Sequence, residues 1–183
     1  MNIFEVKKIS YHPPNKGYCV MLSHVEGSKE VPIIIGSNEA QSIALAVESV
    51  SMPRPMTHDI IVDIIDSMDI SISRVEICDF RKGTFYSKIY LQGTYSDEKY
   101  IDCRPSDGIA LAVRMRAPIF VEDAVLEKAG IFIDKETGEP IVGSGSQEKE
   151  SGVGEEELRG MSAFTEFIEG LNLEGLDQGP KGA

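Results

Sequence analysis

Asp102-Cys103-Arg104-Pro105-Ser106-Asp107-Gly108-Ile109-Ala110-Leu111-Ala112-Val113-Arg114-Met115-Arg116-Ala117-Pro118 is the stretch from which the fold can be read. Tyr100–Cys103 has the character of a strand end, and Pro105 or Ser106 is placed to open a helix. Proline is tolerated in a first helical turn, where Ser and Asp side chains can satisfy free backbone N–H groups. The run Ile109–Val113 is apolar on almost every side, which predicts a buried helix. Arg114 and Arg116 suit the negative helix end, and Pro118 forbids continuation. Asp102, Arg104, Ser106 and Asp107 crowd the strand-to-helix corner, beside a positive helix end that favours anions.

The same letters occur earlier. Ile43-Ala44-Leu45-Ala46-Val47 repeats Ile109-Ala110-Leu111-Ala112-Val113, with a strand-like Val31–Ile35 before it and Met52-Pro53 after it. Matched flanks make an internal repeat the better reading of a short identity. Working outward, strands are expected at Asn2–His12, Tyr18–Val25 and Glu30–Ile35, then a helix from Glu39 to about Val50. A second helix follows from a Thr57 cap to about Met68, with Ile60, Ile61, Ile64, Ile65 and Met68 as its apolar face. Three more strands, Ile70–Phe80, Thr84–Gln92 and Lys99–Cys103, lead into the opening stretch. A short strand Ile119–Val121 and a brief helix Asp123–Ala129 complete the pattern. The expectation is an α+β fold: a duplicated unit of three strands and two helices, about 1–69 and 70–130, forming one compact domain over 1–142.

The composition is that of an ordinary globular chain of 183 residues with net charge −12. Residues 143–183 turn Gly-, Ser- and Glu-rich, predicting a largely disordered acidic tail. A possible short amphipathic helix at Phe164, Phe167, Ile168 and Leu171 could serve a protein partner. No run is long and apolar enough for a membrane span, and no secretory signal is visible. Cys19, Cys78 and Cys103 lack metal-ligand spacing and read as reduced core thiols of a cytoplasmic protein. The charge excludes a duplex binder with a broad basic face.

Three stretches carry a resemblance. Pro32-Ile33-Ile34-Ile35-Gly36 with Glu39-Ala40, then Pro53-Arg54-Pro55-Met56-Thr57-His58-Asp59, then Asp102–Asp107 with Ile109–Ala112, resemble the bifunctional nuclease family over about residues 2–127. The tail lacks the coiled appendage that many bacterial relatives carry, and Gly108 stands where Ala is usual. The resemblance implies a bacterial-type nuclease, a hydrolase of RNA and DNA phosphodiesters, built on a duplicated unit of three strands and two helices.

On the residues themselves, Asp102 and Asp107 are candidate ligands for Mg²⁺ or Mn²⁺, which would generate hydroxide and neutralise phosphate. Arg54 and Arg104 are candidate phosphate clamps, and His58, Asp59 and Asp107 candidate catalytic groups, with His58 a proton carrier. The structural alternative is an ion-pair network with helix-capping carboxylates, in which Arg54 pairs with Asp107 or Glu39. The functional counterpart of that alternative is a non-catalytic oligomeric scaffold or an anion-binding module. A homo-oligomer is expected, and RNA or DNA should bind only weakly to so acidic a chain. The repeat places both polar clusters at the ends of equivalent helices, so Arg54, His58, Asp59, Arg104 and Asp107 should converge.

Overall fold

A computed structural model describes residues 2–13, 17–93 and 98–133. The tail expected at 143–183, with its possible helix, lies outside the described residues. The chain forms β1 (Asn2–His12), β2 (Gly17–His24), β3 (Lys29–Ile35), α1 (Ser37–Val47) and α2 (Thr57–Ser67). It continues with β4 (Ile70–Arg81), β5 (Thr84–Gly93), β6 (Lys99–Cys103) and α3 (Pro105–Met115). The last elements are β7 (Ile119–Val121), α4 (Asp123–Ala129) and β8 (Ile131–Phe132). The fold is α+β, as the sequence predicts.

All eight strands join one sheet in the order β6-β5-β4-β7-β1-β2-β3-β8. Tight turns at Gly27-Ser28 and Lys82-Gly83 make two antiparallel meanders, and the second turn needs the positive φ that both its residues adopt. The short β7 splices them, pairing parallel with β4 through Val75–Ile119 and antiparallel with β1 through Phe4–Ile119. Each meander leads into helices, but β7 stands between α3 and α4 and has no counterpart between α1 and α2. The two meanders thus run β6-β5-β4 and β1-β2-β3 on either side of β7, while β7 and β8 have no counterpart in the first half of the chain.

The core lies between the sheet and the helices, with Val20, Leu22, Val31, Val75 and Ile77 from the strands facing Ile43, Ile109 and Val125. α3 packs against β4 and β5 and has α1 on one side and α2 on another. It is accordingly buried from Ile109 to Ala112. The matching run of α1 is not: only Ala40, Ser42 and Ile43 are buried, and Val47 is exposed. Identical letters acquire different burial because α3 occupies the middle of the helix layer. α2 departs from expectation too. Its contact is one row, Ile61 and Ile65 with Val62, while Ile60, Ile64 and Met68 face outward. A short helix laid on its neighbours buries one row of a double apolar stripe.

Local chemistry fixes both ends of α3. Arg104 is the N-cap, Pro105 takes the first helical position, and the Arg104 carbonyl accepts from the N–H groups of Asp107 and Gly108. Arg116 ends the helix in the left-handed region at φ 53°, and the Ala117 N–H returns to the Ala112 carbonyl. Gly108 lets the first turn lie against the sheet: a Cβ there would stand 2.9 Å from Val75 Cγ1 and 3.3 Å from Cys103 Sγ. Gly108→Ala therefore sets a helix-propensity gain of about 1 kcal/mol against overpacking that costs about 1–3 kcal/mol. Because the β-branched Val75 is fully buried and has little room to yield, chemical denaturation should show a net loss of stability, the reverse of the usual effect of Ala in a helix.

Candidate functional site

Three helices contribute polar side chains to one cluster. On α1, Glu39 and Ser42 are three residues apart and share a face; on α3, Asp107 and Arg114 are two turns apart and share a face. His58 and Asp59 open α2, whose first N–H groups are free to be capped. The Asp59 carboxylate accepts from the Met56 N–H at 2.7 Å, so the cap residue is Met56, and the expected Thr57 is the first helical position.

The contacts form a continuous chain. Arg104 donates to Asp107 from Nε at 2.8 Å and from Nη2 at 3.1 Å, and its Nη1 lies 3.0 Å from Glu39 Oε1. Asp107 Oδ1 is 3.3 Å from His58 Nε2, and His58 Nδ1 is 2.8 Å from Ser42 Oγ. Arg114 closes the chain by donating to Ser42 Oγ at 3.1 Å, Asp59 Oδ1 at 2.7 Å and the Ala110 carbonyl at 3.0 Å. Exposure falls steadily inward: the Arg104 side chain is 66% exposed, His58 12% and Arg114 10%.

Ser42 gives His58 two states that both keep their hydrogen bonds. With a neutral ring, the Ser42 hydroxyl donates to Nδ1 and Nε2–H donates to Asp107. With a protonated ring, Nδ1–H donates to Ser42 Oγ, because a hydroxyl serves in either role. The Arg114 guanidinium, which can only donate, addresses the same oxygen in both. Electrostatics hold the frame. Hydrogen bonds from Arg114, and next from the Met56 N–H, pull the Asp59 carboxyl below its ordinary range. Asp107, and then Glu39, raise the already high affinity of Arg104 for its proton.

His58, Asp59, Arg104 and Asp107 thus meet, although about 50 positions separate the two groups. Arg54 does not join them. It is exposed on the loop before α2 and makes no ion pair among the described residues; the partners expected for it, Asp107 and Glu39, are both taken by Arg104. Asp102 does not join them either. Cys103 faces α3, with Sγ 3.0 Å from Ser87 Oγ, and alternation along β6 turns Asp102 to the other face of the sheet. Asp102 and Asp107 accordingly do not form one pair of ligands, and no group of three His, Cys, Asp or Glu side chains suited to a metal gathers among the described residues. Sequence reasoning passed over Ser42 and the inward role of Arg114. The i, i+3 spacing of Glu39 with Ser42 and the seven-residue spacing of Asp107 with Arg114 were the available signals. Cys19, Cys78 and Cys103 are free, and burial pushes the Cys19 thiol up to about 11.

An α+β domain whose helix layer carries this cluster matches the bifunctional nuclease domain over residues 20–134, and the chain belongs to that family. An uncharacterized protein of Mycobacterium tuberculosis is 34% identical over 172 residues, covering 94% of this chain and 96% of its own. Bifunctional nuclease 1 of Oryza sativa subsp. indica is 25% identical over 123 residues, 66% of this chain but 37% of the rice protein. Bifunctional nuclease 2 of Arabidopsis thaliana is 28% identical over 105 residues, 56% of this chain and 32% of its own.

The depressed Asp59 carboxyl gives a pH signature. A carboxyl whose folded pKa lies below its unfolded one adds stability above the unfolded value, about 3.9, and loses it as pH falls through the folded value. Asp59→Asn should lower the urea midpoint at pH 7, and its deficit against the parent should shrink steadily as pH falls below about 4.

Proposed function

We propose that this chain is a nuclease that hydrolyses phosphodiester bonds of RNA or DNA at the Arg104–Asp107–His58 cluster, acting in the cytoplasm. The observation that carries the reading is the exposed Arg104 guanidinium, held from behind by Asp107 and Glu39 next to His58. Three of its five N–H groups are engaged, leaving two for non-bridging phosphate oxygens. Membership of a nuclease family supports the same reaction class.

The residues divide the proton work. His58 presents only Nε2 to the site, since Nδ1 is held by Ser42. In its protonated form it gives the Nε2 proton to the leaving oxygen and ends neutral, still bonded to Ser42 through Nδ1–H. Asp107 takes the proton of the attacking water as the new P–O bond forms and the old one breaks. Passing that proton back to Nε2 across the 3.3 Å contact restores both groups. With His58 protonated, as the step requires, the three carboxylates balance the two guanidiniums and the imidazolium, so the cluster offers a phosphodiester no net positive charge. Glu39 and Asp107 both engage Arg104, and theirs are the carboxylates that would hold a Mg²⁺ or Mn²⁺ ion should the reaction use one. A cation there supplies charge neutralisation and polarises the phosphate. Asp102 has no place in that set.

The test is cleavage of single-stranded RNA and DNA by the full chain with Mg²⁺, Mn²⁺ or chelator. His58→Ala and Asp107→Asn should each lower the rate constant about 10²–10⁴-fold while the circular-dichroism melt still reports a folded protein. A wild type that cleaves nothing under any of these conditions would leave the cluster as a structural ion-pair network and the protein as a scaffold or anion-binding module.

A further inference from the structure

The outer face of β4–β6, opposite the helices, carries features the cluster does not use. Alternation puts Tyr86, Lys88 and Tyr90 of β5 on this face, with Tyr100 of β6 beside Tyr90 and Arg74 and Arg81 from β4. Each ring has a cation over it. Arg81 lies 4.3 Å from the centre of Tyr86, Lys88 4.6 Å from Tyr100, and Arg74 3.6 Å from Tyr90. The Tyr90 and Tyr100 rings are 5.9 Å apart, tilted by 45°. Tyr100 is 60% exposed and the Arg81 side chain 61%.

We infer that this outer face is a stacking platform for single-stranded nucleic acid, separate from the cleavage cluster. Three arguments carry it. Aromatic side chains on an open sheet give flat surfaces for bases, on rings and on guanidinium planes, although Lys88 stands between Glu76 and Asp102 and so adds little charge for the backbone. The hairpin end is positive within an acidic protein: Asp79 answers both Arg81 and Lys128, and Lys82 at the tip makes no ion pair among the described residues. Arg74, by contrast, is neutralised by Glu76 and Glu98, so it buttresses Tyr90 and leaves phosphate contacts to the hairpin end. Finally, β6 is an edge strand, and Tyr100 precedes Arg104 by four residues, about 13 Å of strand. A bound strand can therefore pass around the edge from platform to cluster. A duplex, whose bases are already stacked on each other, gains nothing from exposed rings.

This inference deepens the nuclease reading by naming its substrate class, yet binding and cleavage fail separately. Fluorescence anisotropy with labelled oligodeoxythymidylate, in chelator and at low salt, should show the full chain preferring the single strand to a duplex of equal length. Tyr100→Ala and Tyr86→Ala should each weaken binding about tenfold, the effect of losing one stacked base, whereas Tyr100→Phe should bind like the parent. The salt dependence should be shallow, since few phosphates are neutralised. In cleavage assays Tyr100→Ala should raise KM for a long single strand and leave turnover of a dinucleotide unchanged. His58→Ala should lower cleavage by the same large factor as above and still bind. Absence of binding by the wild type, equal binding of duplex, or indifference to Tyr100→Ala would each overturn the platform. A shift in molecular mass with Tyr100→Ala, without oligonucleotide binding, would assign the face to a second copy of the chain.

Discussion

The arrangement of the helices depends on one guanidinium. Arg114 sits nine-tenths covered at the end of α3, and its three hydrogen bonds reach a carboxylate of α2, a hydroxyl of α1 and a carbonyl of its own helix. Little else ties α1 to α2. The Ser42–His58 contact does, and Arg114 is what fixes Ser42. Ion pairs in such places contribute modestly against an apolar replacement, but removing one partner strands the other, at about 3–5 kcal/mol when the charge is fully buried. Asp59 is more open than that, so its own loss is partly screened. The consequence is geometric more than energetic: α2 can approach α3 only in the register that pairs Asp59 with Arg114. That register also delivers His58, one residue earlier, to Asp107.

How much of this the amino-acid order displays depends on range. Turns, strand order along the chain, and both ends of α3 follow from local rules, because Pro105, Pro118 and the Lys82-Gly83 turn act on their own backbone. The convergence of two distant clusters was legible through the repeated IALAV helices, which do pack side by side. Partner choice was not. Arg54 and Arg104 are equally plausible partners for Asp107 on paper, but Arg104 caps the helix that holds Asp107, and only three-dimensional placement shows that Glu39 lies within its reach. Burial was equally hidden. The letters of α1 and α3 agree, while their surroundings differ by one neighbouring helix.

The acidity of the chain takes on a more specific meaning once the charges are placed. Within the cluster, carboxylates outnumber guanidiniums by one, and two of the carboxylates are spent on Arg104 alone. Arg114 points inward, and Arg116 stands at the far end of α3, about 18 Å from Arg104 along the helix axis. Among the described residues, the arginines of the helix layer thus do not gather into one patch. On this side a polyanion meets the two free N–H groups of Arg104, and elsewhere on the molecule it meets non-ionic contacts. Ring stacking adds no net charge to so acidic a chain.

Side-chain parity along β6 ties these observations together. Cys103 must face inward, since its Sγ meets Ser87 Oγ beneath Gly108, and an added Cβ on Gly108 would collide there. That one contact sets the register of the edge strand. It sends Asp102 outward, away from Asp107, and sends Tyr100 outward with it, onto the face where Tyr90 and Lys88 stand. The residue after Cys103 leaves the sheet altogether, and as the cap of α3 it turns its guanidinium to the helix side. A metal pair of Asp102 with Asp107 and an aromatic face containing Tyr100 are therefore mutually exclusive arrangements of the same five residues. Gly108, by allowing α3 to close on Cys103, selects the second.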